Sequence, residues 1–397
     1  MKLAERVGRI KPSPTFAAAA KAAAMRAKGI EVIGFAQGEP DFDTPTNIKE
    51  AAYKAIREGF TKYTPAAGFD DLKEAIIQKF KRDNGLIYDR SQILVSAGAK
   101  LCIYNLAQAF FETGDEVIVP SPYWVSYVDI ILLMDAHPVL IPTTEGQGFK
   151  MSVKQLQSAI TRRTKAILFN SPCNPTGAIY TVEEMQEITD VLRKKKILIV
   201  ADDIYEKFIY DGAVFTSIAS LGQDIQDQTM VINGVSKTYS MTGWRIGYAA
   251  GPAELISAMS KIQTQNVSNP VSFCQKAAVE ALNGSQDSVQ TMIAEFDRRR
   301  HYIVERLNSL PGVTCLLPKG AFYVFPNITG LFEKKWRGKK IANSEDVTDF
   351  LLEEARVSVV AGSCFGDDSY IRFSYATSLR NIEKGMDLIQ EALKKLT

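Results

Sequence analysis

Residues 165–203 read KAILFNSPCNPTGAIYTVEEMQEITDVLRKKKILIVADD, and this stretch decides the class of fold. Two apolar runs, KAILFN and ILIVADD, have the length and composition of buried β-strands. Between them, VEEMQEITDVLRKK has the pattern of a helix. A strand, a helix and a second strand in succession are typical of parallel strands in a sheet that helices cover.

The same alternation extends from residue 48 to about residue 280. Further strand candidates are QILVS, EVIVP, MVING and IGYAAG, and LCIYNLAQAFF is a further helix candidate. After about residue 285 a long charged helix precedes AFYVFPNI, VSVVAG, YIRFSYA and a final amphipathic helix. We therefore predict an α/β fold, with a mostly parallel sheet sandwiched by helices and a smaller α+β lobe. The expected domains are an N-terminal arm with part of the small domain (1–45), a large domain (46–285) and a small C-terminal domain (286–397).

Composition narrows the class of protein. The 397 residues carry a formal net charge of only +2, so no nucleic-acid partner is expected. The five cysteines are scattered and there are only two histidines, which predicts reduced thiols and no metal site. The N-terminal residues lack a secretion signal, and no apolar run is long enough to cross a membrane. We expect a cytoplasmic protein with no membrane partner.

In open α/β sheets, ligands bind beyond the carboxyl ends of the strands. After QILVS, Gly98 permits close backbone approach and a helix begins near Lys100, which predicts an anion site at the free N–H groups. An ordinary strand-to-helix turn is the alternative. In NSPCNPTG, two prolines hold Asn174 in a rigid turn, where its amide can donate to a ring oxygen or a substrate carboxylate.

Acidic residues follow the strand in ILIVADDIYEKF. Asp202 emerges as the strand ends, and a carboxylate buried there needs a partner such as a cationic ring nitrogen. Asp203 is expected to cap a helix. The phenol of Tyr205 can hydrogen-bond a ring oxygen, with simple packing as the alternative.

The stretch NGVSKTYSMTGWRIG, residues 233–247, places a lysine among small residues. Lys237 is either a solvated loop lysine or an amine that reaches an aldehyde. Ser236 and Arg245 can bind a phosphate beside it. Together with a ring-nitrogen partner and ring-oxygen donors, these are the groups that pyridoxal 5'-phosphate needs.

Motifs along nearly the whole chain carry a resemblance. They are GEPDFDTP, KYTPAAG, GDEVIVPSPYWVSY, NSPCNPTGAIY, ADDIYEKFIY, SKTYSMTGWRIGY, GAFYVF and IRFSYA, in this order. The chain resembles the class I aminotransferases of the type I pyridoxal-phosphate fold, and it is most similar to bacterial aspartate (aspartate/prephenate) aminotransferases. This resemblance implies pyridoxal 5'-phosphate as the cofactor, held by the large domain.

The resemblance also implies a role for each site residue. Lys237 matches the Schiff-base lysine that acts as general base and acid, and Asp202 matches the partner of the ring nitrogen. The phenolic ring oxygen is bound by Tyr205 and Asn174, the phosphate by Gly98, Ala99, Ser236 and Arg245, and the ring face by Trp124. The substrate α-carboxylate is bound by Arg372, helped by Asn174 and the backbone at Gly38. Tyr63 matches a tyrosine that reaches the phosphate of the neighbouring subunit, so a homodimer is implied. Cys173 departs from the more familiar asparagine or histidine, with no loss of chemistry expected.

Lys100 is the clearest indication of the substrate. In the resembling subgroup a lysine here binds the distal carboxylate of aspartate or glutamate, and Thr15 matches a helper in the same pocket. A lysine at a helix start in water is the alternative. The resemblance implies transfer of the amino group of L-aspartate to 2-oxoglutarate by a ping-pong mechanism. Lys11 lies in the stretch associated with accepting prephenate, which keeps a broad, aromatic or prephenate aminotransferase open.

Two other functions share this fold. A carbon–sulfur β-lyase uses the same cofactor, and Lys100 argues modestly against it. A regulatory protein that senses pyridoxal phosphate usually carries a DNA-binding segment, for which the short N-terminal stretch leaves no room. The set of Lys237, Asp202 and Arg372 also favours catalysis.

Overall fold

The computed structural model describes residues 1–12, 14–193 and 195–397, without the side chains of residues 14–16. The helices are α1 Pro14–Ala27, α2 Thr46–Arg57, α3 Asp70–Asn84, α4 Ala99–Phe110, α5 Ser126–Leu133, α6 Val153–Ala159, α7 Val182–Leu192, α8 Gln223–Gln226, α9 Ala253–Asn266, α10 Ser272–Asn283, α11 Asp287–Asn308, α12 Ser344–Phe350 and α13 Leu379–Leu393. The strands are β1 Ile33–Gly34, β2 Ile93–Ser96, β3 Glu116–Ser121, β4 His137–Pro142, β5 Thr164–Asn170, β6 Leu198–Asp202, β7 Thr229–Gly234, β8 Gly247–Ala250, β9 Tyr323–Val324, β10 Lys335–Trp336, β11 Lys339–Lys340, β12 Val357–Ser358, β13 Val360–Ala361 and β14 Ile371–Ser374.

A seven-stranded sheet forms the centre of the larger part of the molecule. Its order is β2-β8-β7-β6-β5-β3-β4, and β8 runs antiparallel to both of its neighbours while the other pairs are parallel. The predicted mostly parallel α/β sheet is therefore confirmed. Strands β2, β6, β7 and β8 are buried at every position, which explains their continuous apolar sequences.

Helices cover both faces of this sheet. Ile199 and Ala201 of β6 join a core with residues of α2, α3, α7 and α10. Leu198 and Val200, which point to the opposite face, join a core with residues of α4, α5 and α9. Alternate residues of one strand thus build two separate cores, as the two-residue period of a strand requires.

The C-terminal part has a small sheet and a core of its own. Strands β13, β14 and β9 form an antiparallel sheet, and β1 pairs in parallel with β12 through Ile33 and Val357. Phe35 of the N-terminal segment packs in this core with residues of α11 and α13. The smaller α+β lobe is present, and the predicted domain boundaries at residues 45 and 285 stay a prediction. Within the described residues, no helix is long and apolar enough to span a bilayer.

One strand of the central sheet was missed from the sequence, as were the two-residue strands β1, β10 and β11. β4, with the sequence HPVLIP, lies at the edge of the central sheet, and most of its side chains are exposed or half-buried. Its two prolines argue against a strand in a sheet interior, and an edge is where a sheet tolerates them. The position at the edge therefore explains a strand that apolar patterning alone did not reveal.

Candidate active site

A cavity of about 490 Å³ lies at the carboxyl ends of the central strands. Its wall is formed by the residues that follow β5, β6 and β7, by the start of α4, by the N-terminal segment 37–39, and by Arg372 on β14. Most of the predicted site residues line it together: Gly38, Ala99, Lys100, Trp124, Asn174, Asp202, Tyr205, Ser236, Lys237, Arg245 and Arg372. The structure therefore brings groups from positions 38 to 372 into one site.

Three predicted residues are not among those described as lining the cavity: Tyr63, Thr15 and Gly98, which directly precedes the lining residue Ala99. Tyr63 is 91% exposed on the connection between α2 and α3, and it does not line the cavity of its own chain. The side chain of Thr15 lies outside the described residues, so its place in the pocket stays a prediction.

Lys237 follows β7 and points its amine into the cavity. Its Nζ donates a hydrogen bond to the carbonyl oxygen of Gly38 at 2.6 Å. Burial lowers the pKa of Lys237 to about 8, although the nearby carboxylate of Glu39 acts in the opposite direction. A side chain at position 38 would collide with the hydroxyl of Tyr323, so glycine is required for this close approach of the N-terminal backbone.

Asp202 ends β6 as a fully buried carboxylate. Burial raises its pKa to about 6, while a hydrogen bond from Tyr127 and another from the Ile204 amide act to lower it. The hydroxyl of Tyr127 donates to Asp202 Oδ2 at 2.6 Å, and the Ile204 amide donates to Oδ1 at 3.3 Å. Both oxygens are thus oriented by donors before any ligand is present.

Asp203 does not cap a helix, so that prediction is wrong. The chain after β6 forms a short turn instead of a helix, and the Asp203 carboxylate accepts a hydrogen bond from Ser217 at 2.7 Å. Asp203 is 2% exposed, and burial raises its pKa to about 8. It is Asp202 whose carboxylate binds an amide of this turn.

Arg372 is a buried cation. Its side chain is 2% exposed; Nη1 donates to Asn174 Oδ1 at 3.0 Å and Nη2 donates to the Ala36 carbonyl oxygen at 2.7 Å. The guanidinium lies over the rings of Tyr323 and Phe365, at 4.6 and 4.9 Å from their centroids.

Burial lowers the pKa of Arg372. Among the described residues, its Nε is one of the buried nitrogens that lack a hydrogen-bond partner, and no carboxylate forms an ion pair with it. An arginine so desolvated without a counter-ion is suited to an anionic ligand.

The turn around Asn174 is fixed from behind by Asn170. The Asn170 side chain accepts from the Asn174 amide at 2.9 Å and donates to the Asp202 carbonyl oxygen at 2.8 Å. Cys173 points away toward the Pro122 carbonyl oxygen, 3.7 Å from its sulfur, and burial raises the pKa of its thiol. The thiol is thus a packing group beside the functional asparagine.

The predicted phosphate turn lies where β2 gives way to α4. Gly98 has a φ of 92°, and a Cβ at this position would collide with the guanidinium of Arg245. Arg245 is itself left-handed, with a φ of 56°, and its Nη1 donates to the Thr242 carbonyl oxygen at 2.8 Å. The free amides at the start of a helix and an exposed guanidinium therefore face the same space, which is the composition of an anion site.

Aromatic side chains complete the wall. The hydroxyls of Tyr205 and Tyr323 share a hydrogen bond of 2.7 Å, and both rings are buried. Lys100 Nζ lies 4.9 Å from the centroid of the Trp124 ring. Burial, together with the charge of Arg245, lowers the pKa of Lys100.

Sequence reasoning missed several residues of the site. Tyr127, Tyr323, Glu39 and Asn170 line the cavity, and Tyr127 makes the closest contact to Asp202. All four lie inside motifs that carried the resemblance, yet nothing in their local sequence distinguishes them from packing residues. Glu39 accepts hydrogen bonds from Gln37 and from Thr242, at 2.6 and 2.7 Å.

A cluster of potential metal ligands lies outside this cavity. Asp211, Asp297 and His301 offer ligand atoms within 4.8 Å of one another. The guanidinium of Arg300 already binds both carboxylates, at distances of 2.6 to 2.9 Å. The two acids are therefore neutralised by an arginine, which gives them a structural explanation.

Comparison with known proteins places this site in context. The family model for aminotransferase class I and II matches residues 30–389. An aspartate aminotransferase of Bacillus sp. (strain YM-2) is 48% identical, with 99% of each chain covered. An aspartate/prephenate aminotransferase of Nitrosomonas europaea is 48% identical over 100% of this chain and 99% of its own. Among solved structures, the aspartate aminotransferase from Rhizobium meliloti superposes with a TM-score of 0.96, 43% identity and full coverage of both chains.

Proposed function

This chain belongs to the aminotransferase class I and II family, and on that premise we propose that it uses pyridoxal 5'-phosphate to transfer the amino group of L-aspartate to 2-oxoglutarate. One observation carries the proposal. A single cavity holds an amine with a pKa of about 8, a buried carboxylate and a buried guanidinium without a carboxylate partner among the described residues.

The residues of the cavity fit this cofactor. The Gly98–Ala99 turn, Ser236 and Arg245 would hold its phosphate, because they combine free helix amides with a hydroxyl and a cation. Asn174, Tyr205 and Trp124 would hold the ring. When bound, pyridoxal phosphate supplies an aldehyde carbon for the amino group and a ring that draws electrons from the substrate Cα.

Asp202 would keep the ring nitrogen protonated. Its carboxylate is fully buried, so a nearby cation stabilises the ionised form strongly. Tyr127 donates to one of its oxygens and the Ile204 amide to the other, which leaves the carboxylate oriented and unable to rotate freely. This is electrostatic preorganisation of the kind that lowers the barrier to forming charge in the substrate.

Lys237 would hold the cofactor through its amine and later move the proton at Cα. A lysine with a pKa of about 8 is partly neutral near physiological pH, and only the neutral amine can accept a proton. The same amine would take the proton from Cα and deliver it to the aldehyde-derived carbon of the cofactor, on the other side of the substrate nitrogen. No other lysine amine is required for this transfer.

Arg372 would bind the α-carboxylate of the amino acid. Asn174 and the Ala36 carbonyl oxygen orient Nη1 and Nη2, and Nε has no partner among the described residues, so the guanidinium is held in place and retains N–H groups for a carboxylate. Lys100 would bind the distal carboxylate of aspartate, with Thr15 as a helper. A second cation on the cavity wall is what distinguishes a site for a dicarboxylic amino acid from one for a monocarboxylic amino acid.

A homodimer is part of the proposal. Exposed apolar side chains cluster on α2, on the connection after it and between α9 and α10: Tyr53, Ile56, Tyr63, Val267 and Val271. The Ser272 hydroxyl donates to the Phe60 carbonyl oxygen at 2.9 Å, so these segments are neighbours. Exposed apolar side chains on neighbouring segments favour burial against a second copy, and Tyr63 would enter the neighbouring site. We place the enzyme in the cytoplasm.

An aromatic or prephenate aminotransferase is the second candidate. It is favoured by the relative from Nitrosomonas europaea, whose name includes prephenate. The Lys11 backbone hydrogen-bonds Asp129 of α5 and acts to lower its pKa, which burial raises overall, and the charge of Lys100 on the cavity wall acts on Asp129 in the same direction as Lys11.

The test replaces Lys237 with alanine and supplies aspartate with 2-oxoglutarate. We expect loss of both transamination and the visible absorbance of the bound cofactor, whereas Lys261→Ala, at an exposed lysine of α9, leaves both intact. Normal turnover in Lys237→Ala would refute the assignment. Rates with aspartate, phenylalanine, alanine and prephenate then rank the substrates, and release of pyruvate and ammonia from cystathionine without an oxo acid would indicate a lyase.

A further inference from the structure

The connection between α2 and α3 combines an exposed aromatic side chain with a tightly held backbone. Tyr63 is 91% exposed, yet the backbone is hydrogen-bonded to helices α9 and α10 on either side of it, through Phe60 before it and Ala66 after it. The Ala67 carbonyl oxygen accepts from the Val95 amide of β2 at 3.0 Å. A large side chain presented to solvent on a fixed backbone is suited to act outside its own subunit.

Gln263 of α9 is one of two side chains that hold this connection. Its Nε2 donates to the carbonyl oxygens of Ala66, at 2.6 Å, and Val95, at 2.7 Å. Its Oε1 accepts from Asn105 Nδ2 at 3.1 Å and from the hydroxyl of Ser96. The side chain is 0% exposed, so all four hydrogen bonds are shielded from water.

Gln275 of α10 holds the same connection at its other end. Its Nε2 donates to Thr64 Oγ1 at 2.9 Å and to the Pro270 carbonyl oxygen at 3.0 Å. Its Oε1 accepts from the Phe69 amide at 3.1 Å. This side chain is also 0% exposed. Tyr63 thus lies directly before a segment that two buried amides fasten at both ends.

The chemistry of the side chain explains why these positions hold glutamine. Burial of an amide without partners is costly, and a glutamine amide offers two N–H donors and a carbonyl acceptor at the end of one side chain. Replacing the amide of Gln263 with an apolar group would remove the donor that the carbonyl groups of Ala66 and Val95 share. Gln263 also contacts Val95 and Ser96, which lead directly to Gly98, so it joins the Tyr63 segment to the strand that carries the phosphate turn.

We propose that Gln263 and Gln275 are positioning residues that fix the segment of Tyr63, so that its phenol reaches the cofactor phosphate in a second copy of the chain. This inference rests on the proposed function and adds the groups that set the reach of Tyr63. The two glutamines touch neither the cavity nor a ligand. They act through the backbone of residues 64–69.

The experiment compares binding of pyridoxal 5'-phosphate with binding of pyridoxal, which lacks the phosphate. Gln263→Glu keeps the size and the acceptors but removes the two donated bonds. We expect it to weaken binding of pyridoxal 5'-phosphate by roughly tenfold to a hundredfold, the range of one hydrogen bond to a charged group, and to leave pyridoxal binding unchanged. Tyr63→Phe should produce the same selective loss. Gln265→Glu, an exposed position of the same helix, is the matched control.

A double variant separates positioning from general destabilisation. If Gln263 acts through Tyr63, then Gln263→Glu in the Tyr63→Phe background causes no further loss of pyridoxal 5'-phosphate affinity. Thr64→Val removes the acceptor of Gln275 at a half-buried site, and it provides a milder variant if Gln263→Glu does not fold.

Two results would overturn the inference, and they differ in what else they reject. Equal losses of pyridoxal and pyridoxal 5'-phosphate binding, or additive losses in the double variant, reject positioning alone. An unchanged affinity in Tyr63→Phe also rejects the role proposed for Tyr63 and, with it, this part of the proposed function.

Discussion

Replacing Tyr127 with phenylalanine tests how the charge of Asp202 is maintained. The change removes only the hydroxyl that donates to Asp202 Oδ2 at 2.6 Å in a fully buried environment. The ring remains, including its edge contact with Trp124, whose centroid lies 5.3 Å away. The altered property is therefore the free energy of the ionised carboxylate.

The magnitude follows from the hydrogen bond. A bond from a neutral donor to a charged acceptor is worth about 1.5–3 kcal/mol. At 1.36 kcal/mol per pKa unit, its loss raises the pKa of Asp202 by roughly 1–2 units. Because Tyr127 is the strongest of the groups that lower this pKa, no other donor in the site compensates fully.

The assay is the pH dependence of kcat/KM for aspartate. Since the proposed mechanism requires ionised Asp202, we expect the acidic limb of the profile in Tyr127→Phe to move to higher pH by roughly 1–2 units, with a smaller change at the plateau. Tyr104→Phe, on α4 and outside the cavity, should leave the profile in place. An unchanged acidic limb in Tyr127→Phe would show that the hydroxyl does not stabilise the charge.

Three further variants address separate groups. Arg372→Met should weaken binding of every amino acid by roughly 2–5 kcal/mol, because a buried charge pair then loses one member; equal binding of dicarboxylate and monocarboxylate inhibitors to the variant and the parent would contradict this. Lys100→Met should raise the KM for aspartate about tenfold and leave that for phenylalanine unaltered, and a parallel change for both donors would remove Lys100 from the distal-carboxylate site. Asp203 has a folded-state pKa of about 8, above its usual 3.8. The free energy of unfolding is therefore highest, as far as this group is concerned, below about pH 4, and it falls as the pH rises toward 8. Asp203→Asn should flatten this decline, by at most about 1.4 kcal/mol per pH unit, in urea unfolding at pH 5 and pH 8; parallel pH profiles for the two proteins would count against it.

Strands and helices that are buried could be predicted from the sequence, because burial requires an apolar composition. The strands β5 and β6 are continuous apolar runs and were located within a residue or two. β4 was missed because its edge position leaves it half solvated and rich in proline. Asp203 was assigned to a helix cap because a strand followed by acidic residues predicts a helix start as readily as a turn.

The residues proposed to contact the cofactor or substrate could be predicted from the sequence. The residues that act by contacting another protein group could not. Lys237, Asp202 and Arg372 lie in motifs whose chemistry is specific, and the structure places all three in one cavity. Tyr127 supports Asp202 across 75 residues of sequence, and Gln263 contacts Ala66 across 197. Such pairs depend on the tertiary fold, so a single sequence contains no local pattern that identifies them.

The position of β2 has a consequence for how the chain acquires its shape during synthesis. In the central sheet β2 pairs with β8 alone, and the partner of Ser96 is Gly247, about 150 residues later in the chain. At a translation rate of about 5–20 residues per second, that partner emerges roughly 8–30 s after β2. A nascent chain that ends before residue 247 therefore exposes the unpaired edge of an apolar strand, and the phosphate site proposed at Gly98 gains its supporting strand only when about three-fifths of the polypeptide has been made.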